Sequence, residues 1–157
     1  MRALLLLGCA ACAGAHGGRL AARLQRPHNP EYRFDVAARA KLCRGAHGVL
    51  LEAASEDGDG LLLWLRGDSV AAGTYPLLTA SDSSVGQAAT ASLRYMTGDI
   101  AHGLTLDSGA VSVTAARPRL AGDIIASGTD LGGTQHVSLT AHFADVAVAD
   151  TTICSPA

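Results

Sequence analysis

A chain of 157 residues has room for one domain around one hydrophobic core, which excludes two independent cores. The formal net charge is -2 and the 12 basic residues are scattered, so the clustered footprint that nucleic acid requires is missing and no nucleic-acid partner is expected. Hydrophobic residues make up 48% of the chain but aromatics only 4%, with 18 glycines beside many Ala, Val, Leu and Thr, a mixture that suits pleated strands joined by tight turns.

The chain begins MRALLLLGCAACAGAHGGRL. One arginine precedes an apolar run over residues 3–7, followed by small residues and two cysteines, which reads as an export segment over residues 1–13. The run is far shorter than the roughly 20 residues that a membrane-crossing helix needs. Leu6-Leu7-Gly8-Cys9 resembles the lipobox of bacterial lipoproteins, although the segment before the cysteine is short. The resemblance implies a diacylglyceryl thioether on Cys9, with Cys12 as the alternative, and hence a membrane partner engaged through lipid. Each buried methylene contributes about 0.8 kcal/mol, so several acyl chains anchor a protein stably. Cleavage after the small-x-small triplet Ala11-Cys12-Ala13 is the competing outcome and would release the chain. Residues 14–30 contain Gly17-Gly18, charges, prolines and no periodicity, which predicts a flexible tether before a single domain over residues 31–157.

From Tyr32 onward the apolar positions repeat with period 2. Tyr32, Phe34 and Val36 alternate with Arg33 and Asp35, as in a strand with one wet face. Residues 48–54 and 61–66 flank Ser55-Glu56-Asp57-Gly58-Asp59-Gly60 and predict a hairpin, because Asp-Gly pairs favour the positive φ angles of tight turns. Further strands are expected over residues 74–79, 89–96, 110–115, 120–127 and 135–148. Seven or eight strands with turns between them predict an all-β domain, an antiparallel β-sandwich or a small barrel, with little helix.

Gly73-Thr74-Tyr75-Pro76, Asp107-Ser108-Gly109-Ala110-Val111-Ser112-Val113-Thr114, Leu120-Ala121-Gly122 and Ala141-His142-Phe143 occur in an order that resembles a group of uncharacterised small bacterial envelope lipoproteins. In that group a GTY strand is followed by SGxVxIT, ISGTF and a closing VxIxxGxF strand. The resemblance implies a β-sandwich and a location in the cell envelope, at the outer membrane or in the periplasm, and carries no activity. Asp123 and His142 depart from it, standing where the pattern has small or hydroxyl residues.

Cys43 and Cys154 remain once Cys9 and Cys12 are set aside, and in an exported domain they invite a disulfide. Closing a loop of about 110 residues stabilises by roughly 4–5 kcal/mol in the chain-entropy treatment. A metal site on that pair lacks the further ligands zinc needs. Six histidines, at positions 16, 28, 47, 102, 136 and 142, form no His-x-His or His-x-x-x-His pair. His102, between Asp99 and Asp107, is the best nucleus for a site assembled across loops. Asp57-Gly58-Asp59-Gly60 lacks the length and the terminal glutamate of a calcium loop and reads as a solvated turn. Arg66-Gly67-Asp68 spells an adhesion tripeptide but ends a predicted strand. Ser81, Ser83, Ser84 and Ser108 lie near aspartates without a Gly-x-Ser-x-Gly elbow. Trp64 and Tyr75, on strands expected to be adjacent, offer an aromatic patch for a sugar or peptide, against core packing as the alternative.

These observations predict an exported, lipid-anchored envelope protein whose β-sandwich serves a non-enzymatic binding or structural role. No cofactor is expected, and the partner is a protein, glycan or small ligand. The alternative is a secreted hydrolase or metal-dependent enzyme with a site built from loop residues. An inhibitor-like module presenting residues 81–87 is a third reading.

Overall fold

The computed structural model describes residues 17–67, 69–79, 81–82, 86–132, 135–151 and 154. Within them the chain forms nine strands: β1 (Arg19–Gln25), β2 (Tyr32–Cys43), β3 (Gly48–Ala54), β4 (Gly60–Arg66), β5 (Gly73–Pro76), β6 (Ala88–Thr97), β7 (Ile100–Ala115), β8 (Arg119–Asp130) and β9 (His136–Thr151). One 3-10 turn, Arg44–Ala46, is the only helical element among the described residues. Antiparallel pairing runs β7-β6-β4-β3-β2-β1-β9-β8, and β8 pairs again with β7, which closes eight strands into a barrel; β5 adds to the edge of β7. The all-β expectation therefore resolves to its barrel alternative. The reason is β9, which is bonded to β8 on one side and β1 on the other, so neither sheet edge is left to define a sandwich layer.

The tether expected over residues 14–30 is corrected by β1. Leu20, Ala22 and Leu24 point inward and are at most 2% exposed, while Arg19, Ala21, Arg23 and Gln25 point outward. The domain thus begins well before residue 31, because β1 is the stave between β2 and β9. Gly18 leads into it where a Cβ would lie 2.4 Å from the Val146 Cα. Beyond Arg19, β2 and β9 pair directly in parallel, from Ala40↔Val148 to Cys43↔Thr151. That extension carries the chain end to Cys43. The Cα atoms of Cys43 and Cys154 are 5.4 Å apart across a sequence separation of 111, within the range that a disulfide spans.

An eight-stranded barrel has an interior just wide enough for side chains to fill. Here Leu, Val and Ala fill it, with Phe143 and Tyr75 the largest fully buried side chains. The outer wall exposes Arg19, Arg23, Arg33, Asp35, Arg39, Asp123 and His142. This apolar-in, polar-out alternation is the reverse of the pattern required of a lipid-spanning barrel.

β7 is longer than its expected 110–115 span because it passes through an irregularity of register between Leu106 and Ser108. Gly109 makes that passage possible. Its φ is +108°, and a Cβ there would stand 2.1 Å from the Ile125 carbonyl oxygen. Gly109→Ala is therefore expected to destabilise the barrel by about 2–3 kcal/mol, since both the backbone conformation and the space are denied to an L side chain. An unchanged chemical-denaturation midpoint would refute this.

Candidate functional site

At one end of the barrel the inward-facing positions turn from apolar to polar. Arg26 follows Leu24, Tyr32 precedes Phe34, Asp59 precedes Leu61, Tyr95 and Thr97 follow Leu93, His102 precedes Leu104, and Asp130 closes β8. Period 2 puts Tyr32, Tyr95, Thr97, His102 and Asp130 on the inner faces of their strands, and Arg26 and Asp59 stand one residue beyond β1 and β4 in continuation of the inner rows. They form one connected network.

Asp59 is its anchor. Its carboxylate accepts from the Tyr32 hydroxyl at 2.9 and 3.0 Å and from the Met96 backbone N–H at 2.9 Å, and its own N–H donates to Ser55 Oγ at 3.1 Å. Asp59 is 8% exposed, which corrects the expected solvated turn: the Asp57-Gly58-Asp59-Gly60 segment does turn, but Asp59 points into the barrel mouth. The Arg26 guanidinium lies 5.7 Å from the Tyr32 ring centroid and 5.4 Å from that of Tyr95, both within cation–π reach. Tyr95 in turn stacks on His102 at 4.8 Å with an interplanar angle of 11°.

Burial raises the pKa of the Tyr32 phenol above its usual 10, and the Asp59 carboxylate that accepts its proton raises it further. A raised phenol pKa means that the unfolded chain loses this proton first, so the contribution is intact below pH 10 and falls as pH rises through the folded-state value. The stability gap between wild type and Tyr32→Phe is therefore expected to narrow above pH 10. Paired thermal melts at pH 8 and pH 11 that give the same gap would refute the assignment.

His102 completes the mouth. Its Nε2 meets Thr97 Oγ1 at 2.7 Å and its Nδ1 meets Asp130 Oδ2 at 3.2 Å, while the Gly132 N–H donates to Asp130 Oδ1 at 3.0 Å. The partner of His102 is thus Asp130, and neither Asp99 nor Asp107 forms the expected nucleus with it. Hydroxyl, imidazole and carboxylate stand in the connectivity of a nucleophile, its base and an orienting acid. Thr97, His102 and Asp130 line neither the concavity on the outer wall nor the hollow at the opposite end of the barrel.

The larger concavity, of about 710 Å³, lies on the outer wall across β2, β1, β9 and β8. Strand register builds it in rows. Arg33 is opposite Arg23, Arg23 opposite Thr140, and Thr140 opposite Ile125; in the next row Asp35 is opposite Ala21, Ala21 opposite His142, and His142 opposite Asp123. Ala21 is the small residue that leaves the middle hollow, and longer side chains stand around it. His142 Nδ1 donates to Asp123 Oδ1 at 2.8 Å, and Arg19 Nε donates to Asp35 Oδ1 at 2.9 Å. Arg33 Nε donates to Glu31. Among the described residues Arg23 has no hydrogen-bond or ion-pair partner. A second, apolar hollow of about 120 Å³ lies at the opposite end of the barrel, between Leu42, Val49, Val70, Leu120 and Val148.

The expected aromatic patch does not form. Tyr75 is 1% exposed, and its hydroxyl donates to the Ala71 carbonyl and accepts from the Ala71 N–H at 3.0 and 2.9 Å. Trp64 is on the outward face of β4 and half-buried, and a Cβ on Gly48 would lie 2.9 Å from its ring. β4 pairs with β3 and β6, and β5 with β7, so the two aromatics are not on neighbouring strands. Core packing claims Tyr75 because residue 75 falls on the inner face of its strand. Cys43 and Cys154 are brought together, whereas Cys9 and Cys12 lie outside the described residues, as do Asp68, Ser83 and Ser84. Sequence reasoning missed Arg23, Arg33 and Thr140. It singled out Asp123 and His142 separately, and β8–β9 register makes them a pair. No protein-family model, curated protein or solved structure matches the chain.

Proposed function

We propose that the protein is an exported, lipid-anchored envelope protein whose barrel is a non-enzymatic binding module, with its ligand seated on the outer wall across β2, β1, β9 and β8. The observation that carries the binding reading is the wall concavity itself: the barrel interior is filled by side chains, so the room for a ligand is outside it. Export and anchoring rest on Leu6-Leu7-Gly8-Cys9 and on the envelope-lipoprotein resemblance. Cys43 and Cys154 at bonding distance fit an oxidising compartment.

Two measurements test this reading. The intact mass of the mature protein from a bacterial host is expected to correspond to a chain that starts at Cys9 with added acyl mass; an unacylated chain starting at Gly14 would reject the anchor. A small-fragment screen followed by NMR is expected to perturb Ala21, Arg23 and Thr140 first. Perturbations confined to the His102 end of the barrel would reject the wall site.

One observation favours hydrolysis as the second reading, namely the Thr97–His102–Asp130 relay. That reading expects turnover of an activated ester that His102→Ala abolishes.

A further inference from the structure

We infer that the outer-wall concavity is a site for a phosphate-type oxyanion, held between Arg23 and Arg33 with Thr140 and His142 beside them. The inference rests on the wall concavity being the ligand site and adds the chemical class of what it takes.

The first support is register. Arg23 and Arg33 are Cα partners across β1 and β2. Side chains directly opposite in an antiparallel pair start from Cβ atoms about 4.5–5.5 Å apart, where like charges destabilise the sheet. Such a pair on the rim of a hollow is stabilised by an anion between the two guanidinium groups. Arginine suits the task because its planar fork presents several N–H donors in the geometry of a phosphate edge.

The second support is that the carboxylates in the concavity are already paired elsewhere. Asp35 accepts from Arg19, and Asp123 accepts from His142. Glu31 takes Arg33 through Nε, and the Nη groups of Arg33 make no hydrogen bond among the described residues. Arg23 has none through any nitrogen. Its other cross-strand neighbour is Thr140, whose exposed hydroxyl both donates and accepts. Because Asp123 fixes Nδ1 of His142 as a donor, Nε2 is left to accept a proton from a monoprotonated phosphate, or to donate to it when the ring is charged.

The remaining surroundings argue against other ligand classes. A cation meets two opposed guanidinium groups. A sugar finds no exposed aromatic face, since Phe34, the aromatic in the lining, is 8% exposed. Ile125, 69% exposed in the same row as Thr140, provides apolar surface for the organic part of a phosphoester. Two sources of that chemistry are available to an anchored protein, a phospholipid headgroup and a soluble phosphoester. Cys9 and Arg19 are ten positions apart, a reach of about 35 Å at most, so an acylated Cys9 keeps this wall near a bilayer surface.

The test uses the full chain carrying Cys9→Ala and Cys12→Ala, so that no acyl group contributes. Glycerol phosphate is titrated while the arginine Nε–H and backbone amide resonances are followed by NMR. Saturable shifts at Arg23, Arg33 and Thr140 with one common isotherm are expected. Arg23→Gln is expected to weaken binding about tenfold or more, as for loss of a charge-assisted hydrogen bond. Arg39→Gln, which removes a charge outside the concavity, is expected to leave binding unchanged. Equal losses in the two variants would show diffuse attraction only and overturn the inference. If glycerol phosphate shifts nothing in the concavity while neutral fragments still do, the oxyanion falls and the wall site stands; if neither does, both fall. Sedimentation with phosphatidylglycerol vesicles that Arg23→Gln abolishes assigns the oxyanion to a headgroup. Binding of free glycerol phosphate without vesicle binding assigns it to a soluble phosphoester.

Discussion

Cys154→Ser is expected to lower the stability of the oxidised protein by about 4–5 kcal/mol, the chain-entropy value for a loop of roughly 110 residues. For a domain of this size that is a fall of about 10–20 °C in Tm. Cys43 is the less informative position, because it is fully buried and a serine there would also bury a hydroxyl, whereas Cys154 is only partly covered. The location is the reason a cross-link there is expected to act on the whole barrel. β1 begins at Arg19, and on the far side of that residue β2 and β9 are held by a short parallel ladder from Ala40↔Val148 to Cys43↔Thr151. The cross-link stands at the outer end of that ladder and ties the last strand to one of the first. Thermal melts with and without reductant check this: reductant is expected to bring wild type down to Cys154→Ser and to leave the variant where it was. Coincident melts of oxidised wild type and variant would show that the cross-link does not contribute.

Asp59→Ala is expected to cost about 3–5 kcal/mol, from two donors left without an acceptor in the barrel mouth. The Met96 N–H loses its carboxylate oxygen, and the Tyr32 hydroxyl loses both of its own. Tyr32 then no longer has a fixed position against Arg26, whose guanidinium lies over its ring. Asp59→Asn keeps an acceptor oxygen and is expected to cost about half as much. Denaturant unfolding of both variants, followed by tryptophan fluorescence, gives the comparison. An Asp59→Ala midpoint within the error of wild type would show that the mouth network contributes little to the fold.

The network also bears on what the mouth does. Thr97, His102 and Asp130 have the connectivity of a catalytic relay, yet Tyr95 covers one face of His102, and the larger concavity is on the outer wall. Satisfying one another is sufficient reason for these side chains to meet, because polar groups at the end of a filled barrel need partners there. The wall differs in this respect, since Arg23 and Arg33 face each other with Arg23 unpartnered among the described residues. An unmet charge points to a ligand more directly than a satisfied network does.

Much of the strand pattern was legible from residue alternation. The hairpin of β3 and β4 was legible because two apolar runs flank an Asp-Gly turn, although Leu61-Leu62-Leu63-Trp64-Leu65 is apolar throughout and does not itself say which side chains face inward. Val111 and Val113, and Val137, Leu139, Ala141 and Phe143, marked β7 and β9 by clean alternation. β1 was not legible, and neither was the second half of β2. Their inner positions include Ala22, Ala38 and Ala40, and alanine contrasts too little with its neighbours to announce a period of 2. The first half of β7 was concealed differently, by Asp107-Ser108-Gly109, which reads as a turn and is in fact a bulge inside one strand.

The sequence by itself determined the secondary-structure class, the single core and the cysteine pair, because local alternation, turn residues and chain length act through neighbouring residues or through simple counting. Tertiary structure decided that the strands close into a barrel, since closure depends on β9 meeting both β8 and β1, across separations no local pattern encodes. It likewise decided the sites. Asp130 is 28 positions from His102, Asp59 is 27 from Tyr32, and Arg23 meets Arg33 only because a β1–β2 turn of a given length sets their register. A shift of that register by one residue would send Arg23, with the rest of the β1 side chains, to the opposite face of its strand.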